Sequence, residues 1–312
     1  MNTLKLAAAA LLGGAALVAT AGEDWYPSRW GAGDVLGGLN NVTTENVLAA
    51  TKLVGQGKVQ ALGIETNSKT PTFAPRTFNL TVVQPNQAGG GTLGPTKSTY
   101  NDDLVMGWNG IGSQMDGLGH VGIDHVYYNG AKAADFVAPD GLKKYGMESY
   151  PPMVARGVLL DMCAFYGKGI VPEGTAFNRK EIDAVSKKQG IEIREGDVVL
   201  FNTGWITLIG KEDVRYMAGE PGLGKEGALY LADMNVTAVG ADNFGVEVVP
   251  FEEGNGQYEI HQILLARKGI FLLENMNTAP LARDRAYEFL FVLGQPRITG
   301  AVQAIVNPVA IY

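Results

Sequence analysis

Eight short runs of Val, Ile, Leu and Phe, punctuated by Gly, Pro and polar residues, restrict the fold of this chain more than any other feature. They occupy 59–65 (VQALGIE), 77–84 (TFNLTVVQ), 157–162 (GVLLDM), 197–205 (DVVLFNTGW), 236–242 (VTAVGAD), 269–275 (GIFLLEN), 287–294 (YEFLFVLG) and 303–312 (QAIVNPVAIY). Several are apolar without strict alternation, the pattern of strands covered on both faces. Such strands need helices packed against them, and four segments have helical character. Segment 43–55 opens on hydroxyl residues, places Val47, Leu48 and Leu53 at helical spacing and stops at Gly55. Segment 178–190 offers Asn178 as N-cap, Glu181 three residues on as the second half of a capping box, and Gly190 as terminator. Further helices are predicted over 225–235 and 258–269, the latter carrying His261. Helices alternate with strands only in the second half, and no repeat or linker divides the chain. This predicts a single α/β domain, a mixed central sheet with packed helices and not a regular doubly wound one.

Composition narrows the partners. With 46% hydrophobic and 18% charged residues, the 312-residue chain can fill a large core. The net charge of −7 comes without a Lys/Arg block, which argues against nucleic acid or an anionic membrane surface and leaves a small-molecule substrate. At the N-terminus Lys5 precedes an apolar run from Leu6 to Val18 and the small residues Ala19, Thr20 and Ala21. This is the layout of a secretory signal peptide over 1–21, so that 22–312 would form the mature domain, exported to the periplasm or secreted, with no membrane contact after cleavage. Cys163, the single cysteine, cannot make an intrachain disulfide and lies in an apolar run, where a buried inert thiol is expected.

Three histidines serve the whole chain, and one of them, His120, follows Asp116 by four positions in the stretch SQMDGLGH. Glu274 follows four apolar residues at the end of a predicted strand, and His261 lies in the helix leading into that strand. A helix that runs directly into a strand packs on the same sheet, so His261 and Glu274 can converge at one end of it. With Asp116 and His120 they would supply two imidazoles and two carboxylates, a sensible shell for a divalent cation. The same residues could equally make ordinary hydrogen bonds, and spacing leaves both readings open. His125, after Asp124, reads as a surface or supporting group, and the acidic pair Asp242 and Glu247 as supporting structure. Trp30, Trp108, Tyr128 and Arg29 are candidate substrate contacts, Arg29 for a carboxylate or, equally, for a structural ion pair.

The stretches DWYPSRWGAGD, DGLGHV, YYNG, RGVLLDM, GDVVLFNTGW, VGADNFGVEVVP, HQILLARKGIFLLEN and VNPVAIY make the chain resemble the cyclase family of metal-dependent hydrolases, of the kynurenine formamidase and isatin hydrolase kind. That family carries H-x-G-T-H-x-D-x-x-x-H as its main metal motif, against which Gly110, Gly112, Ser113, Gln114, Asp116 and His120 align here. The resemblance implies a swivelling β/β/α-type fold and a homo-oligomer, dimer or tetramer. It implies Gln114, Asp116, His261 and Glu274 as ligands of one divalent ion, manganese preferred and zinc open, since Gly110 has no side chain to bind a second. His120 would be the acid/base in hydrolysis of an amide, lactam or lactone bond in a small cyclic or aromatic molecule. Two alternatives remain: a non-catalytic metal- or ligand-binding protein that keeps the fold, and a metal-dependent lyase or dehydratase.

Overall fold

Four of the apolar runs form the parallel heart of a nine-stranded mixed sheet. In chain order its strands are β1 (Val59–Ala61), β2 (Gln114–Asp116), β3 (Met153–Asp161), β4 (Val198–Asn202), β5 (Ala238–Ala241), β6 (Phe271–Glu274), β7 (Glu288–Leu293), β8 (Gln303–Ile305) and β9 (Val309–Ile311). Their spatial order is β1-β9-β7-β3-β4-β5-β6-β2-β8. β3, β4, β5 and β6 run parallel, and antiparallel neighbours flank them on both sides. Every residue of β4, β5 and β6 is buried, as their unbroken apolar runs require. The computed structural model describes residues 25–83 and 89–312. The export signal expected at 1–21 lies outside them, and no helix among the described residues is long and apolar enough to cross a membrane.

Parallel neighbours need crossover connections, and the expected helices of the second half lie on them. α1 (Thr44–Thr51) packs on β3 and β7, α2 (Arg179–Gln189) leads from β3 towards β4, and α3 (Lys225–Asp233) from β4 towards β5. In α2 the Asn178 amide donates to Glu181 Oε2 at 3.1 Å and Gly190 closes the helix in a left-handed conformation, both as the spacing predicts. α1 ends at Thr51, short of Gly55, because the amides of Lys52 and Leu53 turn back to Ala49 and Ala50 in tighter, three-residue bonds. The segment before β6 is helical only over Glu259–His261 and then widens into a π-helix over Gln262–Arg267.

Two runs behave differently from the sequence reading. The 303–312 run breaks into β8 and β9, which lie near opposite edges of the sheet, because Pro308 has no amide to continue a ladder. Ile305 and Val309 are four residues apart and so at most about 14 Å, whereas strands seven places apart in a flat sheet would be about 34 Å apart. The sheet is therefore strongly curled. The 77–84 run contributes Phe78–Val83 to a separate two-stranded ribbon with Asp102–Gly107, exposed along nearly its whole length.

Candidate functional site

Sheet register collects the polar residues. β2 pairs with β6 so that Gln114 faces Glu274 and Asp116 faces Leu272, and with β8 so that Gln303 faces Asp116. Side chains two apart on a strand share a face and directly opposed ones are neighbours, so Gln114, Asp116, Glu274 and Gln303 project from one face. Their hydrogen bonds follow: Gln114 Nε2 donates to Glu274 Oε2 at 2.7 Å and more weakly to Asp116 Oδ1 at 3.3 Å, and Gln303 Nε2 donates to Asp116 Oδ1 at 2.7 Å. Glu274 ends β6, so the cluster lies at the carboxyl edge of the parallel strands, where ligands of open α/β sheets bind.

His261 reaches this face from the helical segment that leads into β6. Its Nδ1 is held by the buried carboxylate of Glu247, which turns Nε2 towards Glu274 Oε1 at 3.4 Å and Asp116 Oδ2 at 3.9 Å. Three residues next to this arrangement have left-handed backbones: Val246 (φ 63°), Tyr258 (φ 55°) and Asn275 (φ 57°). Such a conformation is costly for a β-branched residue. At Val246 the turn is held by Asn243 Oδ1, which accepts its amide at 2.9 Å, and it directs the next residue, Glu247, under His261. Glu247→Gln is expected to weaken divalent-metal binding about 10- to 100-fold, measured by competition with a chelating dye, because the partner that orients the imidazole loses its charge.

The residues present fit a divalent cation. Asp116, His261 and Glu274 are all buried and each offers a ligand atom within 4.8 Å of the others. Asp116 Oδ2 is buried without a hydrogen-bond partner, the condition expected of an atom whose partner is an ion. Gln114 presents its NH2 to the two carboxylates and so acts as a donor; to offer Oε1 to an ion its amide must turn over. Burial pushes the His261 pKa down, but the hydrogen bonds and charges of Glu247 and Glu274 outweigh it and raise it to about 10. Burial and the neighbouring Asp116 raise Glu274 to about 8. A cation must displace the protons on these groups, so apparent metal affinity is expected to fall as pH falls below about 10, where His261 gains its proton, and more steeply below about 8, where Glu274 gains its own. Calorimetry in two buffers of different ionisation enthalpy should register the released protons; an affinity independent of pH would contradict the scheme.

His120 stands at the side of the cluster, its Nε2 3.8 Å from Asp116 Oδ2 and 3.5 Å from Gln303 Nε2. Burial lowers its pKa, Asp116 opposes this, and the charges of His261 and Arg76 lower it further, so the ring is neutral at pH 7 and can accept a proton. Above lies a cavity of about 340 Å³ whose wall includes Phe73, Arg76, Trp108, Phe244 and Tyr258, with Gln114, His120, His261 and Glu274 below. A pocket of this size suits a small molecule.

Of the four candidate substrate contacts, only Trp108 lines this cavity. Arg29, Trp30 and Tyr128 line a separate one of about 470 Å³ with Val236 and Ile270, which precede β5 and β6, at the other end of the parallel strands. There Arg29 pairs with Glu195 at 3.0 Å, and the Tyr128 hydroxyl donates to Asp34. His125 is exposed. Asp242 accepts from the Thr203 hydroxyl at 2.6 Å and the Gly204 amide at 2.7 Å, holding the loop after β4. Cys163 is partly buried, with its thiol pushed up to about 12 chiefly by burial. Gln303 and Arg76 were missed by the sequence reading, since neither belongs to a local motif and only register and loop path bring them in.

A curled mixed sheet with buried carboxylates and an imidazole converging beneath an aromatic cavity defines a class of α/β protein built around one polar site at a sheet edge. The chain belongs to the putative cyclase family, whose model matches residues 60–248; His261 and Glu274 lie beyond that stretch and join the site through the tertiary structure. A solved structure described as a novel cyclase is 27% identical, covers 93% of this chain and 97% of its own, and has a TM-score of 0.84. Isatin hydrolase A from Ralstonia solanacearum shares the fold at 18% identity and TM-score 0.62, over 86% of this chain and 97% of its own. A potential metal-dependent hydrolase with cyclase activity does so at 16% identity and TM-score 0.52, over 81% and 98%. No curated protein sequence matches the chain.

Proposed function

We propose that this protein is a hydrolase that uses one divalent cation, manganese or zinc, to open an amide, lactam or lactone bond in a small cyclic or aromatic molecule. The observation that carries the reading is the buried, unpartnered Asp116 Oδ2 facing His261 and Glu274, with neutral His120 beside them. Two carboxylates and one imidazole suit either metal, the oxygen majority favouring manganese. A cation held there supplies Lewis acidity, lowering the pKa of water and polarising a carbonyl. His120 takes the proton of the attacking water and returns it to the leaving nitrogen or oxygen. Gln303 and Gln114 hold the outer oxygens of Asp116 and Glu274, so that the inner ones face His261. The aromatic wall, Trp108 included, excludes water and faces the ring of the substrate.

The same reading makes the protein exported, on the pattern of 1–21, and a homo-oligomer, on the family resemblance. The deciding experiment is to strip the purified protein of metal, reload it with manganese or zinc and screen amides, lactams and lactones with product analysis in ¹⁸O-water. Hydrolysis with one labelled oxygen in the product supports the proposal. Turnover without label would make the protein a lyase or dehydratase, and metal binding without any turnover a binding protein.

A further inference from the structure

Arg76 is the one arginine or lysine among the residues that line the cavity. Elsewhere Arg29, Arg156, Arg179, Arg194, Arg215 and Arg283 each pair with a carboxylate within ion-pair distance. Among the described residues the Arg76 side chain makes one hydrogen bond, from Nη1 to the Gly110 carbonyl at 2.8 Å, and is joined to no carboxylate. A guanidinium carries five N–H donors. One bond to a carbonyl tethers the group and leaves the rest of the fork without a partner among the described residues.

The position is built and not accidental. A Cβ on Gly110 would lie 2.9 Å from Arg76 Nη1 and 2.6 and 2.8 Å from the amide atoms of Gln303. Gly110 does not have a left-handed backbone, so a side chain there is limited by space alone, and the atoms it would press on are the movable ends of Arg76 and Gln303. That space is filled by Arg76 and by the amide that holds Asp116. The charge of Arg76 reaches His120, Glu274 and Tyr258, each of whose protonation it disfavours, so the guanidinium stands over the same cluster. The rest of the wall is largely aromatic: Phe73 packs edge-on against Phe244 at 5.4 Å, and Tyr258 against His261 at 5.4 Å.

We propose that Arg76 is the anion-recognition group of this cavity and that its ligand is a small aromatic or cyclic acid, whose carboxylate seats on the guanidinium while its ring lies against Phe73, Trp108 and Phe244. An uncharged ligand would leave the free guanidinium donors facing an apolar group, whereas a carboxylate matches a two-pronged fork. As a statement about substrate this rests on the hydrolase reading; as a statement about binding it stands on the cavity alone. The acid group then fixes which end of the molecule points away from His120 and the buried carboxylates.

The test is binding of benzoate against benzamide, two probes of like size that differ in charge, followed by calorimetry on the full chain, metal-free and zinc-loaded. Wild type is expected to prefer benzoate in both states. Arg76→Met should lower benzoate affinity about 10- to 100-fold and leave benzamide unchanged, while Arg76→Lys, with the charge but not the fork, should recover part of the loss. Gly110→Ala, which keeps Arg76 but displaces it, should weaken benzoate in the same direction, and thermal melts identify any variant that fails to fold. Equal binding of the two probes by wild type, or a benzoate preference that survives in folded Arg76→Met, overturns the proposal. A preference that needs zinc and ignores Arg76 would leave the hydrolase reading standing without it. Arg76-dependent binding in a protein that takes up no metal would do the reverse.

Discussion

Asp116→Ala is expected to remove bound metal and, with it, all measurable hydrolysis. Wild type reloaded and dialysed should carry about one ion per chain by elemental analysis, and the variant essentially none. Asp116 is central because its two oxygens do different things. Oδ1 is held by the amides of Gln303 and Gln114, and Oδ2 is left buried with no partner. Removing the side chain takes away a ligand atom and a group that both glutamines share. It also strands the Gln303 amide, at a cost of about 1–3 kcal/mol, but relieves Glu274, which Asp116 pushes towards protonation. A folded protein with an empty site is therefore expected, shown by a thermal melt close to that of metal-free wild type. Full metal content in the variant would mean that the cluster is not the site.

His120→Ala should give the opposite split: metal content unchanged and kcat lower by about 10²- to 10⁴-fold, the usual contribution of a positioned acid/base. His120 stands beside the cluster, with Nε2 3.8 Å from Asp116 and its ring edge-on to His261, and is not among the three residues whose ligand atoms converge. Its environment favours the neutral ring, which can take a proton at pH 7. KM should change little if the substrate is held by the opposite wall. Loss of metal together with His120 would make it a ligand, and unchanged turnover would pass the acid/base role to another group.

What could be read from the chain in order was whatever depends on neighbours along it. The strands at 198–202, 238–241 and 271–274 follow from apolar runs, and the helix at 179–189 from a cap and a terminator at its ends. Hydrophobic patterning and capping act over a few residues, so periodicity reports them. The cluster of Asp116, His261 and Glu274 was half legible, since an apolar run ending in a carboxylate and a helix leading into it suggest a shared edge. The role of Glu247 under His261, the amide of Gln303 on Asp116, and Arg76 in the cavity wall were not legible. Each joins elements far apart in sequence, 187 residues in the case of Gln303 and Asp116.

The grouping of Arg29, Trp30 and Tyr128 with His120 failed for the same reason. Tyr128 is close to the motif in sequence and Arg29 and Trp30 are far from it, yet all three occupy the other end of the parallel strands. Composition and local pattern by themselves determined that this chain forms a mixed α/β domain, with carboxylates and imidazoles available near strand ends. Only the tertiary structure decided which of them meet, because strand register, the curl of the sheet and the backbone turn at Val246 are settled by packing between distant segments.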